Sequence, residues 1–434
     1  MRAVVSGGQT GVDRAAFNAA LAAGIPVGGW CPAARGAEDG PISANYPLRE
    51  TFSTDPAQRT VWNVFDADAT LIVAPAAPSG GTLLARETAE RYGRPVLEVP
   101  PDGPGAERAK AWLETLPADV LLNVAGPRES EAPGIYGTAR RVMEAVLGAR
   151  RERVEPPRRV LVNGGAGCLG GYLIRLPSPG VEVHATQRTT PVTDCPAHQV
   201  DLADSRAVQA LVQQLRPATI IHTAYGTGDP ARDIVDATRN VANAALAYGV
   251  RLVHMSTDMV LDGEHAPFAE SAEPDPVHEY GRYKAEAERY VRGAIPGAAV
   301  IRASLITAFH PPDPRSKWIL AGLRDGSGPA LFVDELRTPI LAEDLARQIW
   351  EIARLEEAAA AGVWHLAGPE ALSRYALGAL VAAAHGMNPA GLRPLRSDTT
   401  ADPRPRDLRL LTNRADRELP TRARALSEAV IRTP

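Results

Sequence analysis

Residues 160–175 read VLVNGGAGCLGGYLIR. The run VLVN is short, apolar and β-branched, the composition of a strand buried in a parallel sheet. Gly164, Gly167 and Gly170 follow at a fixed spacing, and YLIR then turns to a helical pattern. In such a loop the first glycine makes the tight turn. The second lets the backbone approach a pyrophosphate, and the third lets the helix pack closely on the strand. A structural turn alone would also use these glycines, but the placement at the start of a fresh strand–helix series predicts a dinucleotide-binding α/β unit. Gly164, Gly167, Cys168, Leu169 and Gly170 are its expected cofactor contacts.

Downstream the pattern continues. A second strand, VEVHA at 181–185, ends in Thr186-Gln187-Arg188, and no acidic residue lies between Glu182 and Asp194. A carboxylate after this strand would bond a free ribose 2′-hydroxyl, whereas an arginine suits a 2′-phosphate. The reading therefore favours NADP(H) over NAD(H), with Arg188 on the phosphate. Asp201 and Leu202 follow the next strand and are placed near the adenine. TIIHTA ends a fourth strand at Ala224, and residues 236–248 read as a helix.

The run RLVHM at 251–255 places Ser256-Thr257 at the carboxyl end of a strand, where ligands collect in open α/β sheets. Tyr280 precedes Lys284 by four positions on a predicted helix, so both share one face. A free tyrosine titrates near ~10, and a neighbouring ammonium is expected to lower that value and make the phenol a usable acid. The Thr257 hydroxyl is placed to hold a carbonyl oxygen as charge builds on it.

Composition narrows the classes. The chain has 434 residues, enough for two or three domains. A formal charge of −4 excludes a general nucleic-acid or membrane surface. No apolar run approaches the ~18 residues of a membrane span, and the amino terminus reads as a strand and loop instead of a signal peptide. Cys31, Cys168 and Cys195 are the three cysteines. Their odd number and wide spacing fit a reducing cytoplasm without disulfides.

Toward the amino terminus two more strand–glycine–helix junctions occur. AVV at 3–5 leads through Ser6, Gly7, Gly8, Gln9, Thr10, Gly11 and Arg14 to a helix at 15–23. TLIVA at 70–74 leads through Ser79-Gly80-Gly81-Thr82 to a helix at 83–92. Backbone N–H groups at such helix starts favour phosphate.

These blocks carry a resemblance. SGGQTGVDRAAF, GGWCPAARGAEDGPI, AQRTVWNV, SGGTLLARETAERYGRPVL and LNVAGPRES, in that order, resemble the molybdenum-carrier family. That family lies in a wider Rossmann-like group with lysine-decarboxylase-like nucleoside phosphoribohydrolases. The resemblance implies a phosphorylated nucleotide-like or molybdenum-cofactor-like ligand at the two glycine loops. The first histidine in the chain is His184, and Cys31 is the only thiol of this half. No conventional metal cage is expected there. Molybdenum would have to arrive as an oxyanion or a phosphate-bearing cofactor, held by N–H groups and by arginines such as Arg14, Arg35 or Arg59. Asp13, Glu38 and Asp39 read either as hydrolytic carboxylates or as turn and cap residues.

From Arg159 onward GGAGCLGG, DLAD, HMSTDMVLDG, YGRYKAEAE, VIRAS, LFVDELRTPILAEDLA and WHLAGPEALSRYALG resemble extended short-chain dehydrogenase/reductases. Within that family they are most similar to the dTDP-4-dehydrorhamnose reductase branch. The resemblance implies a triad of Thr257, Tyr280 and Lys284, with Ser256 as the fallback for Thr257. Met259 departs from the tyrosine usual after the STD motif, and Cys168 from a polar residue. Ser256, Asp258, Arg337 and Arg404 are the expected substrate contacts, the arginines for a nucleotide diphosphate.

The sequence thus predicts two Rossmann-like, doubly wound parallel-sheet domains in tandem. The first spans 1–150, a linker 151–158, and the second 159–434, with a small substrate lobe mainly in 300–434. The expected activity is NADP(H)-dependent reduction of a carbonyl on a nucleotide-linked sugar or similar metabolite in the cytoplasm, with self-association left open. An epimerase or dehydratase of the same superfamily and a non-catalytic cofactor-binding regulator are the alternatives.

Overall fold

The structure is a computed structural model describing residues 1–148, 158–177, 180–226, 228–399 and 404–431. Most of the expected linker, 151–157, lies outside the described residues. The chain divides into two compact units, Met1–Arg158 with Ser178–Val181, and Arg159–Pro177 with Glu182–Pro434.

In the first unit the strands are β1 (Ala3–Val5), β2 (Val27–Gly28), β3 (Ala69–Val73), β4 (Val96–Val99) and β5 (Leu121–Ala125). Their order is β2-β1-β5-β3-β4, with every pairing parallel. β3 is buried along its whole length, with Leu71, Ile72 and Val73 in the core and the Thr70 hydroxyl accepting from Asn123. Helix α1 (Val12–Ala22) follows β1, α2 (Pro56–Asp66) precedes β3, and α3 (Gly80–Arg91) follows β3. Helices α4 (Gly103–Glu114) and α5 (Ile135–Gly148) complete the unit. The crossovers from β1 and from β3 run outward in opposite directions from β5. Right-handed connections then put α1 beside α5 and α3 beside α2 on the opposite face. Both glycine junctions meet the carboxyl edge of the sheet on either side of β5, at its switch point. Gly126 allows this crowding, because a Cβ there would stand 2.4 Å from the Val73 carbonyl oxygen.

The second unit holds β6 (Arg158–Asn163), β7 (Val181–Gln187), β8 (Ala197–Gln199), β9 (Thr219–His222), β10 (Arg251–Thr257), β11 (Ala299–Ala303) and β12 (Gly362–Leu366). The order is β8-β7-β6-β9-β10-β11-β12, the doubly wound arrangement. Pairings run parallel from β6 through β12 and between β7 and β8. Helix α6 (Cys168–Arg175) follows β6, α7 (Ser205–Leu215) follows β8, and α8 (Ala237–Tyr248) follows β9 after a π-helical turn, Ala231–Asp236. Helix α9 (Glu279–Ala294) starts where His278 Nδ1 accepts the Tyr280 N–H.

The remainder forms a smaller lobe. Helices α10 (Pro314–Arg324) and α12 (Arg374–Ala384) enclose a cluster that includes Phe309, Ile319, Leu377 and Val381. Helix α11 (Ala342–Arg354) returns the chain to the main sheet. Near the carboxyl end, Leu426–Ile431 is helical. The segment before it is held out of helical geometry by side-chain anchors. Thr421 Oγ1 donates to Glu351 at 2.6 Å, and the Arg424 guanidinium grips Asp344.

Candidate active site

The loop after β6 has the geometry a pyrophosphate needs. Gly164 has φ +85°, and a Cβ there would stand 2.8 Å from the Ala224 nitrogen. A Cβ at Gly170 would stand 2.2 Å from the Gly164 carbonyl oxygen, so only glycine permits this helix–loop approach. Gly167 precedes the α6 amino terminus, with Cys168 and Leu169 in its first turn. Burial pushes the Cys168 thiol up to about 11, so it stays protonated near neutrality.

A cavity of about 250 Å³ extends from this loop, lined by Gly164, Gly167, Arg188, Asp201, Leu202 and Ala224 among others. It contains a carboxylate that linear reading did not place there. Asp233, on the π-helical turn after β9, accepts from Arg188 Nη1 and from Arg232 Nη1, each at 2.8 Å. Asp201 faces Arg232 and takes the Ala203 N–H at 3.1 Å. Arg188 stays half exposed. Only the return of the chain after β9 brings Asp233 and Arg232 beside Arg188.

A second cavity, of about 830 Å³, shares Gly164, Gly167 and Tyr225 with the first and contains Thr257, Tyr280 and Lys284. Thr257 ends β10, and its hydroxyl accepts the Met259 N–H and lies 3.2 Å from Asp258 Oδ1. Lys284 is buried and donates to the Met255 carbonyl at 2.6 Å. Burial pushes its ammonium down to about 8, with Glu288 opposing. The Tyr280 phenol moves opposite to the expected direction. Burial pushes it well above the usual tyrosine range, helped by Tyr225 and Asp258. Its ring lies 6.0 Å from that of Tyr225. Lys284 turns its charge toward the sheet, which accounts for the difference.

Ser256 does not substitute for Thr257. Its hydroxyl donates to buried Glu288 at 2.7 Å, and Glu288 is paired with Arg302 at 2.6 Å. Asp258 accepts from Ser304 Oγ at 2.9 Å and faces Arg337 at 3.7 Å. Arg337, expected to grip a diphosphate, lines the cavity, is 1% exposed and donates to the Leu336 and Pro405 carbonyls. Arg404 does face the cavity, stacked 4.6 Å over Phe332 and paired with Glu335. Sequence reading missed Glu335, Arg374 and Arg315. Arg374 directly follows a strand that pairs antiparallel with Leu336–Arg337, a pairing no motif announces.

In the first unit the two glycine loops differ. Around β1–α1 the protein occupies its own donors: Gln9 N–H bonds Asp13, Thr10 N–H bonds the Gln9 side chain, and Thr10 Oγ1 bonds Glu38. Gly8 and Gly11 have positive φ, and a Cβ at Gly7 would collide with the Arg59 guanidinium. Arg59 lies 3.4 Å from Asp13, whose carboxyl is pushed up by burial. Arg14 pairs with Asp39 at 2.5 Å. Arg35 spends its guanidinium on the carbonyls of Ile42, Ser43, Tyr46 and Leu48, so it shapes the loop instead of meeting a ligand. At β3–α3, by contrast, Ser79, Gly80 and Gly81 are exposed, Thr82 is buried, and a Cβ at Gly80 or Gly81 would meet nothing within 4 Å. Among the described residues no group of three or more His, Cys, Asp or Glu could hold a metal ion. Nor is any helix among them long and apolar enough to cross a membrane.

Residues 158–433 match the model of the RmlD substrate binding domain. The chain belongs to this family. Residues 4–147 match the circularly permutated YpsA SLOG family. A dTDP-4-keto-6-deoxy-D-glucose reductase of Streptomyces niveus is 31% identical over 56% of this chain and 84% of its own. The Xenopus tropicalis methionine adenosyltransferase 2 subunit beta is 28% identical over 58% of this chain and 79% of its own. Among solved structures, a Bacillus anthracis dTDP-4-dehydrorhamnose reductase in complex with NADP shares the fold, with TM-score 0.55 and 21% identity over 64% of this chain and 97% of its own. A Syntrophus aciditrophicus protein called a molybdenum carrier is 37% identical over 34% of this chain and 95% of its own, with TM-score 0.32. The RmlD-family match spans the glycine loop and both cavities.

Proposed function

We propose that the RmlD-family unit, residues 159–434, is an NADP(H)-dependent reductase of a carbonyl on a nucleotide-linked sugar. The first unit, residues 1–150, holds a phosphorylated nucleotide-like ligand, and the protein works in the cytoplasm. One observation carries the reductase reading: Thr257 and Tyr280 face a single cavity whose ends are the dinucleotide loop and an arginine wall. The nicotinamide, when bound, supplies the hydride. Tyr280 stays protonated near neutrality because of its burial, and gives its proton to the carbonyl oxygen as that oxygen becomes a stronger base than phenolate. The Thr257 hydroxyl orients the same oxygen. Lys284 fixes the carboxyl-terminal part of β10 through the Met255 carbonyl. An epimerase or dehydratase would need a further acid/base near Thr257, and Asp258, the acidic neighbour, is committed to Ser304 and Arg337. The regulatory reading draws on the likeness to methionine adenosyltransferase 2 subunit beta. It predicts tight cofactor binding with no turnover of any nucleotide-linked keto sugar. The test is whether NADPH is consumed with such sugars.

The cofactor is expected to be NADPH. Asp233, the carboxylate beside the ribose site, is already shared by Arg188 and Arg232. A charge-assisted bond contributes about 1.5–3 kcal/mol, or roughly tenfold or more in affinity. Arg188→Ala should weaken NADPH by that factor and free Asp233 for a 2′-hydroxyl, raising NADH affinity. Dissociation constants for both cofactors decide it. Equal or tighter NADH binding by the wild type contradicts the assignment.

For the first unit the ligand anion belongs at the α3 amino terminus, where the backbone is open, and not at the α1 loop. Gly81→Val should abolish the calorimetric heat seen with a nucleotide or phosphorylated pterin and leave the melting temperature unchanged. Tight uptake of zinc with indifference to every phosphorylated ligand would contradict this.

A further inference from the structure

The two cavities of the second unit meet at Tyr225. Gly164, Gly167, Thr223 and Tyr225 line both of them. The glycines offer backbone alone, and the Thr223 hydroxyl is committed to the Asn163 carbonyl at 2.7 Å. Of these four, Tyr225 is the residue with a large side chain to offer. Among the described residues it is also the most exposed large hydrophobic side chain, at 61%.

The backbone that carries Tyr225 is fixed on both sides. Before it, the Thr223 N–H donates to the Asn163 carbonyl at 3.0 Å, next to the last paired residues of β6 and β9. Ala224 lies directly on Gly164, where a Cβ would stand 2.8 Å from the Ala224 nitrogen. After it, a Cβ at Gly226 would stand 2.3 Å from Asp233 Oδ2, and Asp233 is itself held by Arg188 and Arg232. The ring meets that of Tyr280 in a tilted contact, with centroids 6.0 Å apart and planes at 61°, and most of its remaining surface is open. A fixed base with an open aromatic face gives a ligand a large contact area for little ordering of the protein.

The first cavity holds Arg188 and Asp233 beside the glycine loop, and the second holds Thr257 and Tyr280. A dinucleotide that reaches from one to the other has to pass the residues they share. We infer that Tyr225 is a clasp, whose ring lies against the nicotinamide half of the bound dinucleotide and slows its departure. The inference rests on the dinucleotide-binding reading of this unit and is independent of the sugar substrate. NADPH and NADH are identical in that half, so the clasp adds affinity for both, and the choice between them stays with Arg188.

The test is a fluorescence titration of the full chain with NADPH, whose emission on binding reads the site without turnover. Adenosine 2′,5′-bisphosphate, which lacks the nicotinamide half, is measured by competition against NADPH. Tyr225→Ala should weaken NADPH by roughly tenfold, the scale of one lost aromatic stack, and weaken NADH by the same factor. NADPH chased off by excess NADP⁺ should leave correspondingly faster. The bisphosphate should keep its affinity, which also shows that the unit has folded, and Tyr225→Phe should keep most of the NADPH affinity. Unchanged NADPH binding by Tyr225→Ala overturns the clasp. So does an equal loss for NADPH and the bisphosphate, or a loss as large in Tyr225→Phe as in Tyr225→Ala. If the titrations come out as expected and no sugar is reduced, the clasp stands and the reductase falls. If a sugar is reduced while Tyr225→Ala binds NADPH like the wild type, the reductase stands and the clasp falls.

Discussion

Tyr280→Phe should lower turnover by roughly 10²–10⁴-fold, the usual contribution of a positioned acid, and leave NADPH affinity within about twofold. The change deletes one oxygen from a ring already held against Tyr225, so packing is preserved. No other hydroxyl takes over. Ser256 is turned to Glu288, and the Thr257 hydroxyl is turned to Asp258, a carboxylate already held by Ser304 and Arg337. Because burial raises the phenol far above neutrality, the wild-type rate should not depend on ionising Tyr280 between pH 6 and 8, a window about two units below even an ordinary tyrosine. Stopped-flow oxidation of NADPH on a true substrate reads the loss. Comparable rates for wild type and variant would remove Tyr280 from the mechanism.

Arg302→Met should destabilise the second unit by about 3–5 kcal/mol, the effect of leaving a buried charge without its partner. Arg302 and Glu288 are both fully buried and 2.6 Å apart, and Arg302 Nη1 also donates to the Ala272 carbonyl at 2.6 Å. Removing the guanidinium leaves Glu288 with Ser256 Oγ at 2.7 Å and Arg292 no nearer than 3.7 Å. The double variant Arg302→Met/Glu288→Met should recover most of the loss, since an apolar pair of similar volume replaces both charges. Urea unfolding of both proteins provides the comparison. A single-variant effect below ~1 kcal/mol, the scale of exposed pairs, would show that water reaches this pair.

How much of this could be read from the chain follows from the range of the interactions involved. Glycine loops and buried strands are local, so VLVNGGAGCLGG announces β6, its turn and α6, and the parallel α/β class follows from the alternation. Thr257 and Tyr280 carry their own spacing signals and face the same cavity. Burial and charge pairing are not local. The expected downward shift of Tyr280 assumed that Lys284 on the same helix face points at the phenol, but its ammonium turns to Met255. Arg337 reads like any exposed arginine, and only the folded lobe shows it buried beneath Pro405. Asp233 is 45 residues from Arg188, and Glu335 is 39 and 69 residues from Arg374 and Arg404, so no local pattern reveals those pairings. The Gly7–Gly11 loop looked as open as the Ser79–Thr82 loop, and it is the side chains of Asp13, Gln9 and Glu38 that close it.

The central claim is that this unit moves a hydride to a sugar carbonyl. Incubation with NADPH deuterated at the transferable position and a panel of nucleotide-linked keto sugars tests it in one mass spectrum. The account predicts a reduced sugar carrying a single deuterium, formed with matching loss of NADPH and formed roughly 10²–10⁴-fold more slowly with Tyr280→Phe. A sugar whose configuration or water content changes without deuterium, or a protein that binds NADPH and converts no member of the panel, would contradict it.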